Sequence, residues 1–173
     1  MENYWKDGLH GLSVNEVCRR TGLSKTSLYR EFGGEDALLD AALERYITNV
    51  IAPMVARLDA NRPFAETIET MIEFIAGASQ GCLLVKMRDA RESLPGPVAE
   101  ARVDEMVCEL RETYETLFVV ARGRGELRTD ISPRLAGQYL DTQVTAALRL
   151  VAAGEPNEDV RAQAGMAFAA LLK

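Results

Sequence analysis

Residues 13–32 read SVNEVCRRTGLSKTSLYREF, and the reading of this stretch decides the fold. Ser13 and Glu16 have the spacing of a capping box, in which a hydroxyl and a carboxylate each take the other's free backbone N–H. Leu12 and Val17 stand where a hydrophobic staple clamps a helix entry. The two signals coincide and predict a helix from Ser13. Thr21-Gly22-Leu23 ends it, because glycine adopts the left-handed backbone of a sharp turn with no Cβ to clash. Ser24 then caps a short helix to about Glu31, and Gly33-Gly34 breaks the chain again. Two short helices joined by a glycine turn are the parts of a helix-turn-helix. Val17, Leu23 and Leu28 are expected to close its small core, with Cys18 slim enough to let the helices approach. The second helix then points Lys25, Thr26, Ser27 and Arg30 outward. Short hydroxyls near a helix N-terminus, Ser24 among them, reach base edges or phosphates, and Lys25 and Arg30 pair with phosphate or guanine. The same parts also make a helical hairpin inside an ordinary bundle, and spacing alone leaves both readings open.

Outward from this stretch the chain reads as all helical. Asn-Gly and Asp-Gly hairpin signals are absent, and apolar residues recur at three- and four-residue spacings. Residues 1–8 form the tail of a first helix. A longer helix opens at Glu35-Asp36, where carboxylates favour the positive end of the dipole, and runs to about Leu58 with a kink or restart at Pro53. Further helices are expected from Pro63, from Cys82 to about Ser93, from Val98 to Arg122, from Ser132-Pro133 to Gly154, and from Pro156-Asn157 to Lys173. The natural boundary falls within the fourth helix, giving domains 1–46 and 47–173.

Composition narrows the function. With 47% apolar and 27% charged residues, the chain supports a sizeable core and is not a disordered segment. No apolar run approaches the roughly 18–20 residues that span a bilayer. The first residues show no basic stretch before a long apolar one, so no secretory signal and no membrane partner are expected, and the default location is the cytoplasm. Cys18, Cys82 and Cys108 are odd in number and widely spaced, and His10 is the sole histidine. That pattern argues against a disulfide framework, a metal site, a cofactor and Ser-His-Asp or Cys-His catalysis, so an enzyme is the weakest reading. Between residues 10 and 32, Arg19, Arg20, Lys25 and Arg30 outnumber Glu16 and Glu31 for a net of +2, in a chain whose total is −6. One end therefore suits phosphate and the remainder does not.

The stretch GLSVNEVCRRTGLSKTSLYREFGGEDALLDAALERY resembles the N-terminal domain of TetR-type transcriptional regulators. The match rests on Ser13 opening the second helix, on Gly22-Leu23-Ser24-Lys25, on Leu28-Tyr29, on Phe32, and on Ala37-Leu38-Leu39 after a charged pair. A weaker likeness covers Gly81-Cys82-Leu83-Leu84 and Gly125-Glu126-Leu127-Arg128. The resemblance implies a three-helix reading head joined to a helical ligand-binding and dimerisation domain. It implies that Lys25, Thr26 and Ser27 face a major groove, that Tyr29 reaches a phosphate, and that Ser13 and Asn15 touch the DNA backbone. Two departures stand out. Glu35 occupies the position where the family often carries a phosphate-gripping lysine, and the first helix, beginning at Met1, is shorter than usual.

For the rest of the chain the resemblance implies a cavity for a small-molecule effector among the middle helices and a homodimer through the last two. Met71, Phe74, Met87, Tyr114, Phe118 and Tyr139 are adaptable side chains suited to such a cavity, and Arg88 and Gln143 are polar residues able to orient a ligand there. Each is equally at home in a core. Small residues such as Ala136, Gly137, Ala146, Ala164 and Gly165 let the last helices approach closely. The expected function is a ligand-responsive repressor released from double-stranded operator DNA. The rivals are a regulator that senses oxidants or electrophiles through Cys82 or Cys108, with Lys86 assisting, and a helical binding module with weakened DNA contact.

Overall fold

A computed structural model describes residues 1–9 and 11–173; the sole histidine, His10, lies outside the described residues. Its order is α1 (Glu2–Asp7), α2 (Val14–Thr21), α3 (Lys25–Phe32), α4 (Glu35–Tyr46), a π-helical segment (Ile47–Ile51), α5 (Ala52–Val55), α6 (Phe64–Gly77), α7 (Leu83–Asp89), a 3-10 turn (Arg91–Ser93), α8 (Pro97–Gly123), α9 (Pro133–Ala153) and α10 (Asn157–Ala169). The all-α expectation holds; the sole β pairing among the described residues is an isolated bridge between Leu127 and Leu172. Two compact units divide the chain, Met1–Ile51 with Cys82–Met106 and Ala52–Gly81 with Val107–Lys173. Each takes two stretches of sequence, and residues 1–46 all lie in the first unit.

In the first unit, Leu12, Val17, Leu28, Leu39, Leu43 and Tyr46 are buried, and Trp5 meets the Tyr46 ring edge-on at 5.2 Å. The Lys86 ammonium donates to the Trp5 and Lys6 carbonyls at 2.5 and 3.0 Å, closing the C-terminal end of α1. Burial lowers its pKa. The expected helix from Glu35 changes register rather than simply kinking. Pro53 has no N–H and its ring crowds the carbonyl four residues earlier, and the π-helical turn at Ile47–Ile51 absorbs that conflict. The expected 82–93 helix likewise splits into α7 and the 3-10 turn.

In the second unit, α6, α9 and α10 pack together and the later half of α8 joins them through Phe118, whose ring meets Phe64 edge-on at 6.4 Å. The Gly125–Arg128 stretch works as a stitch. The Glu126 carboxylate accepts the Phe64 N–H at 2.6 Å, Leu127 is fully buried, and Arg128 N–H donates to the Leu171 carbonyl at 3.3 Å. That pairing draws the chain end out of helix, so α10 stops at Ala169 rather than running to Lys173. Arg111 reaches the buried Asp141 at 2.9 Å, tying α8 to α9.

Candidate nucleic-acid interface

The Ser13 hydroxyl accepts the Glu16 N–H at 3.2 Å, as the capping box requires. The Glu16 carboxylate turns the other way, to Arg19 at 2.6 Å and Arg20 at 2.7 Å. Those two guanidiniums hold its pKa down at about 2. Only half of the expected box is made, because two charge-assisted bonds outcompete one to a neutral backbone donor. Arg20 also pairs with Asp7, so the charge of both arginines is largely met within α1 and α2.

Gly22 takes φ 72°, and Ser24 caps α3 by accepting the Ser27 N–H at 3.0 Å. Leu28 is buried at 2% exposure and seats the helix, while Ser24, Lys25, Thr26 and Arg30 are exposed and Ser27 and Tyr29 are half-buried. Leu23 corrects the sequence reading. It is 50% exposed at the tip of the turn, and Val17 and Leu28 close the small core without it. Among the described residues Lys25 and Arg30 have no ion-pair partner, so the outward face of α3 keeps its positive charge. The Lys25 ammonium lies 5.4 Å from the Tyr29 ring centre, and the Tyr29 hydroxyl donates to Glu35 at 2.9 Å. Glu35 also contributes, behind burial, to pushing Tyr4 up to about 12. Ser13 and Asn15 are exposed at the start of α2 and share with Lys25 and Glu35 a concavity of about 250 Å³. The eight residues expected at DNA thus occupy the α2 entry and α3, with Tyr29 bonded to Glu35 instead of standing free.

The candidate effector residues are divided. Met87, fully buried, and Arg88, half-buried, belong to the first unit; the other six belong to the second. There Met71, Tyr114 and Phe118 are buried, Phe74 and Gln143 are half-buried, and the Tyr139 hydroxyl donates to the Ala167 carbonyl at 3.0 Å. The thiols lack activation. Burial pushes Cys82 up, with its sulfur 3.3 Å from the Tyr46 hydroxyl, and the Glu112 carboxylate pushes the exposed Cys108 up. Lys86, expected to assist Cys82, is spent on α1 instead. The sequence reading missed the partners of Asp36 and Asp40. Asp36 accepts the Val98 and Ala99 N–H groups at 3.0 and 2.8 Å, and Asp40 accepts from Arg102 at 2.7 Å. No local signal announces a partner more than sixty residues away.

Residues 1–42 match the family described as bacterial regulatory proteins, tetR family. The chain is 28% identical over 105 residues to the HTH-type transcriptional activator FasR of Mycolicibacterium smegmatis, a match covering 58% of this chain and 48% of that protein. The chain thus spans about half the length of the curated relative it matches. In fold it is similar to a TetR-family transcriptional regulator from Agrobacterium tumefaciens, with a TM-score of 0.84 at 14% identity over 98% of this chain and 92% of that one. It is also similar to a cysteine mutant of the TetR family regulator CifR in a structure with 26-bp double-strand operator DNA, with a TM-score of 0.78 at 19% identity over 96% and 90% of the two chains.

Proposed function

Because residues 1–42 match the tetR family of bacterial regulatory proteins, we propose that the chain is a regulator of this type and reads operator DNA with α3. The observation that carries this reading is the pose of α3: Leu28 buried beneath, and Lys25, Thr26 and Arg30 unburied with their polar groups turned to solvent. A helix capped by Ser24 and raised in this way fits a major groove. Lys25, Thr26, Ser27 and Arg30 supply groove contacts, and Ser13, Asn15, Ser24 and Tyr29 supply contacts to the DNA backbone. Tyr29 must leave Glu35 to do so. Residues 1–46 act as the reading head and 47–173 as the effector and dimer half.

The protein works as a homodimer whose two heads meet successive major grooves about 34–36 Å apart. Leu135 and Met166, 53% and 71% exposed on α9 and α10, support a partner on those helices. A small molecule held in the second unit, among Met71, Phe74, Tyr114, Phe118, Tyr139 and Gln143, favours a head spacing that no longer fits, and it must bind the two states with different affinity to do so. Occupied operator blocks transcription, so the protein is a repressor and acts in the cytoplasm. The raised thiols weigh against sensing through Cys82 or Cys108. Glu35 is what favours the second reading, a head with weakened DNA contact.

Fluorescence anisotropy with duplexes tiled across the DNA upstream of its own gene tests the proposal. Sequence-dependent binding that Lys25→Ala and Thr26→Ala weaken supports it. Binding to none of the duplexes refutes it. A promoter–reporter comparison with and without the gene gives the sign of regulation.

A further inference from the structure

The first turn of α8 is capped by a residue of the reading head. Leu94-Pro95-Gly96-Pro97 leads into α8, and the Gly96 carbonyl accepts the Glu100 N–H at 3.2 Å, which makes Gly96 the residue that should cap this helix. Glycine has no side chain to do it, and Pro97 has no N–H to satisfy. The next two N–H groups, of Val98 and Ala99, are taken instead by the Asp36 carboxylate, at 3.0 and 2.8 Å. Gly96 is shaped for this. A Cβ there would stand 2.5 Å from Asp36 Oδ2 and 2.8 Å from its Cγ, so any other residue would expel the carboxylate. One turn further along both helices, Asp40 accepts from Arg102 at 2.7 Å. A carboxylate at a helix N-terminus is further favoured by the dipole.

Asp36 lies in the first turn of α4, four residues past the end of α3. α8 is one unbroken helix of 27 residues, about 40 Å long at ~1.5 Å per residue, and it carries Tyr114 and Phe118 beyond the capped end. We propose that Asp36, capping α8 from a distant part of the chain, is the positioning residue through which the pose of the recognition helix and the state of α8 are coupled. The inference rests on the DNA-binding reading and adds its point of regulation. Coupling of this kind is reciprocal, so DNA bound at the head must be felt at the first turn of α8.

The test uses the full chain, the upstream duplexes and amide hydrogen exchange. In the unaltered protein, a bound duplex should slow exchange at Val98 and Ala99 several-fold, with Ala164 in α10 as an unaffected reference. Asp36→Ala alone risks fraying α8, so it is combined with Gly96→Ser, which supplies a local cap to the same helix. This double variant should fold with a Tm close to the unaltered protein and keep Val98 and Ala99 protected, yet lose their response to the duplex. Asp36→Asn, with one oxygen still able to accept, should retain part of the response. A double variant that responds fully overturns the inference, as does unaltered protein that binds duplex with no change at these amides. Unaltered protein that binds no duplex refutes the DNA reading itself and this inference with it.

Discussion

At the scale of single residues, two carboxylates of the first unit act differently: Glu35 on the charge beside α3, and Glu16 on the stability of the fold. Glu35 holds the Tyr29 hydroxyl at 2.9 Å and sets a negative charge where α3 turns into α4. On the proposed reading, a duplex displaces that bond and meets that charge. Glu35→Gln removes the charge while keeping an acceptor for Tyr29. It should tighten duplex binding by roughly three- to tenfold, since each rim charge near phosphate is worth about 1 kcal/mol, and the gain should shrink at high salt. Titrations at two salt concentrations check this; unchanged or weaker binding would show that Glu35 faces away from the duplex. Lys25→Ala should act in the opposite sense, weakening all sequences and lowering the salt slope by about one. Glu16 contributes to the fold instead. Its pKa drops from 4.5 to about 2 because Arg19 and Arg20 hold the charged form. A group with a depressed folded pKa stabilises above its unfolded value and loses that contribution as pH falls through the folded one. The Tm of the unaltered protein should therefore exceed that of Glu16→Gln at pH 7, and the gap should close between pH 4.5 and 2. A gap that does not change with pH would mean that Glu16 acts through its size alone.

At the scale of elements, the second unit depends on a close approach of α8 and α9. A Cβ on Gly137 would lie 3.2 Å from the Glu115 nitrogen and 3.3 Å from the Arg111 carbonyl oxygen. These are backbone atoms of a packed helix and yield little. Gly137→Ala gains about 1 kcal/mol of helix propensity against this crowding, but Gly137→Leu adds far more bulk than that gain offsets. It should destabilise by about 2–3 kcal/mol, a fall in Tm of roughly 5–10 °C, read by thermal circular dichroism; a Tm at or above that of the unaltered protein would mean the helices part at no cost. Much at this scale was legible from the chain. Ser13, Ser24 and Ser132 cap the helices expected of them, and Gly22, Gly33 and Gly154 end theirs with a left-handed residue. Those signals are local, set by a side chain and an N–H three residues apart. What could not be read depends on partners distant in sequence. Asp36 looked like a dipole-compensating residue of its own helix and proved to cap α8. Glu126, with no helix-start signal of its own, caps α6 through the Phe64 N–H. Leu23 had the right type for a core but sits where the turn throws it outward. Pro53 announced a disturbance, though not that a π-helical turn ahead of it would take up the strain.

At the scale of the whole molecule, the proposed reading requires a dimer. One head of eight candidate contact residues binds weakly alone, and two heads joined by a stable interface bind with the second contact made intramolecular. The helices suited to that interface are α9 and α10. The bond from Tyr139 to the Ala167 carbonyl holds them together, with Leu135 one turn before Tyr139 and Met166 beside Ala167. Met166, at 71% exposure, is the most exposed large apolar side chain, and Ala146, Ala162 and Ala169 are exposed around the same pair. Small exposed residues with a long apolar one among them suit a close contact between flat helix faces. Met166→Arg adds bulk and a like charge on both sides of a twofold contact, while the side chain has little to lose inside its own subunit. The expected outcome is a monomer by light scattering, an unchanged Tm within a few degrees when measured at low concentration, and duplex affinity lower by on the order of a hundredfold. A variant that stays dimeric would move the interface off α10, and a monomer that binds duplex as tightly as the unaltered protein would leave the paired-head arrangement without a purpose.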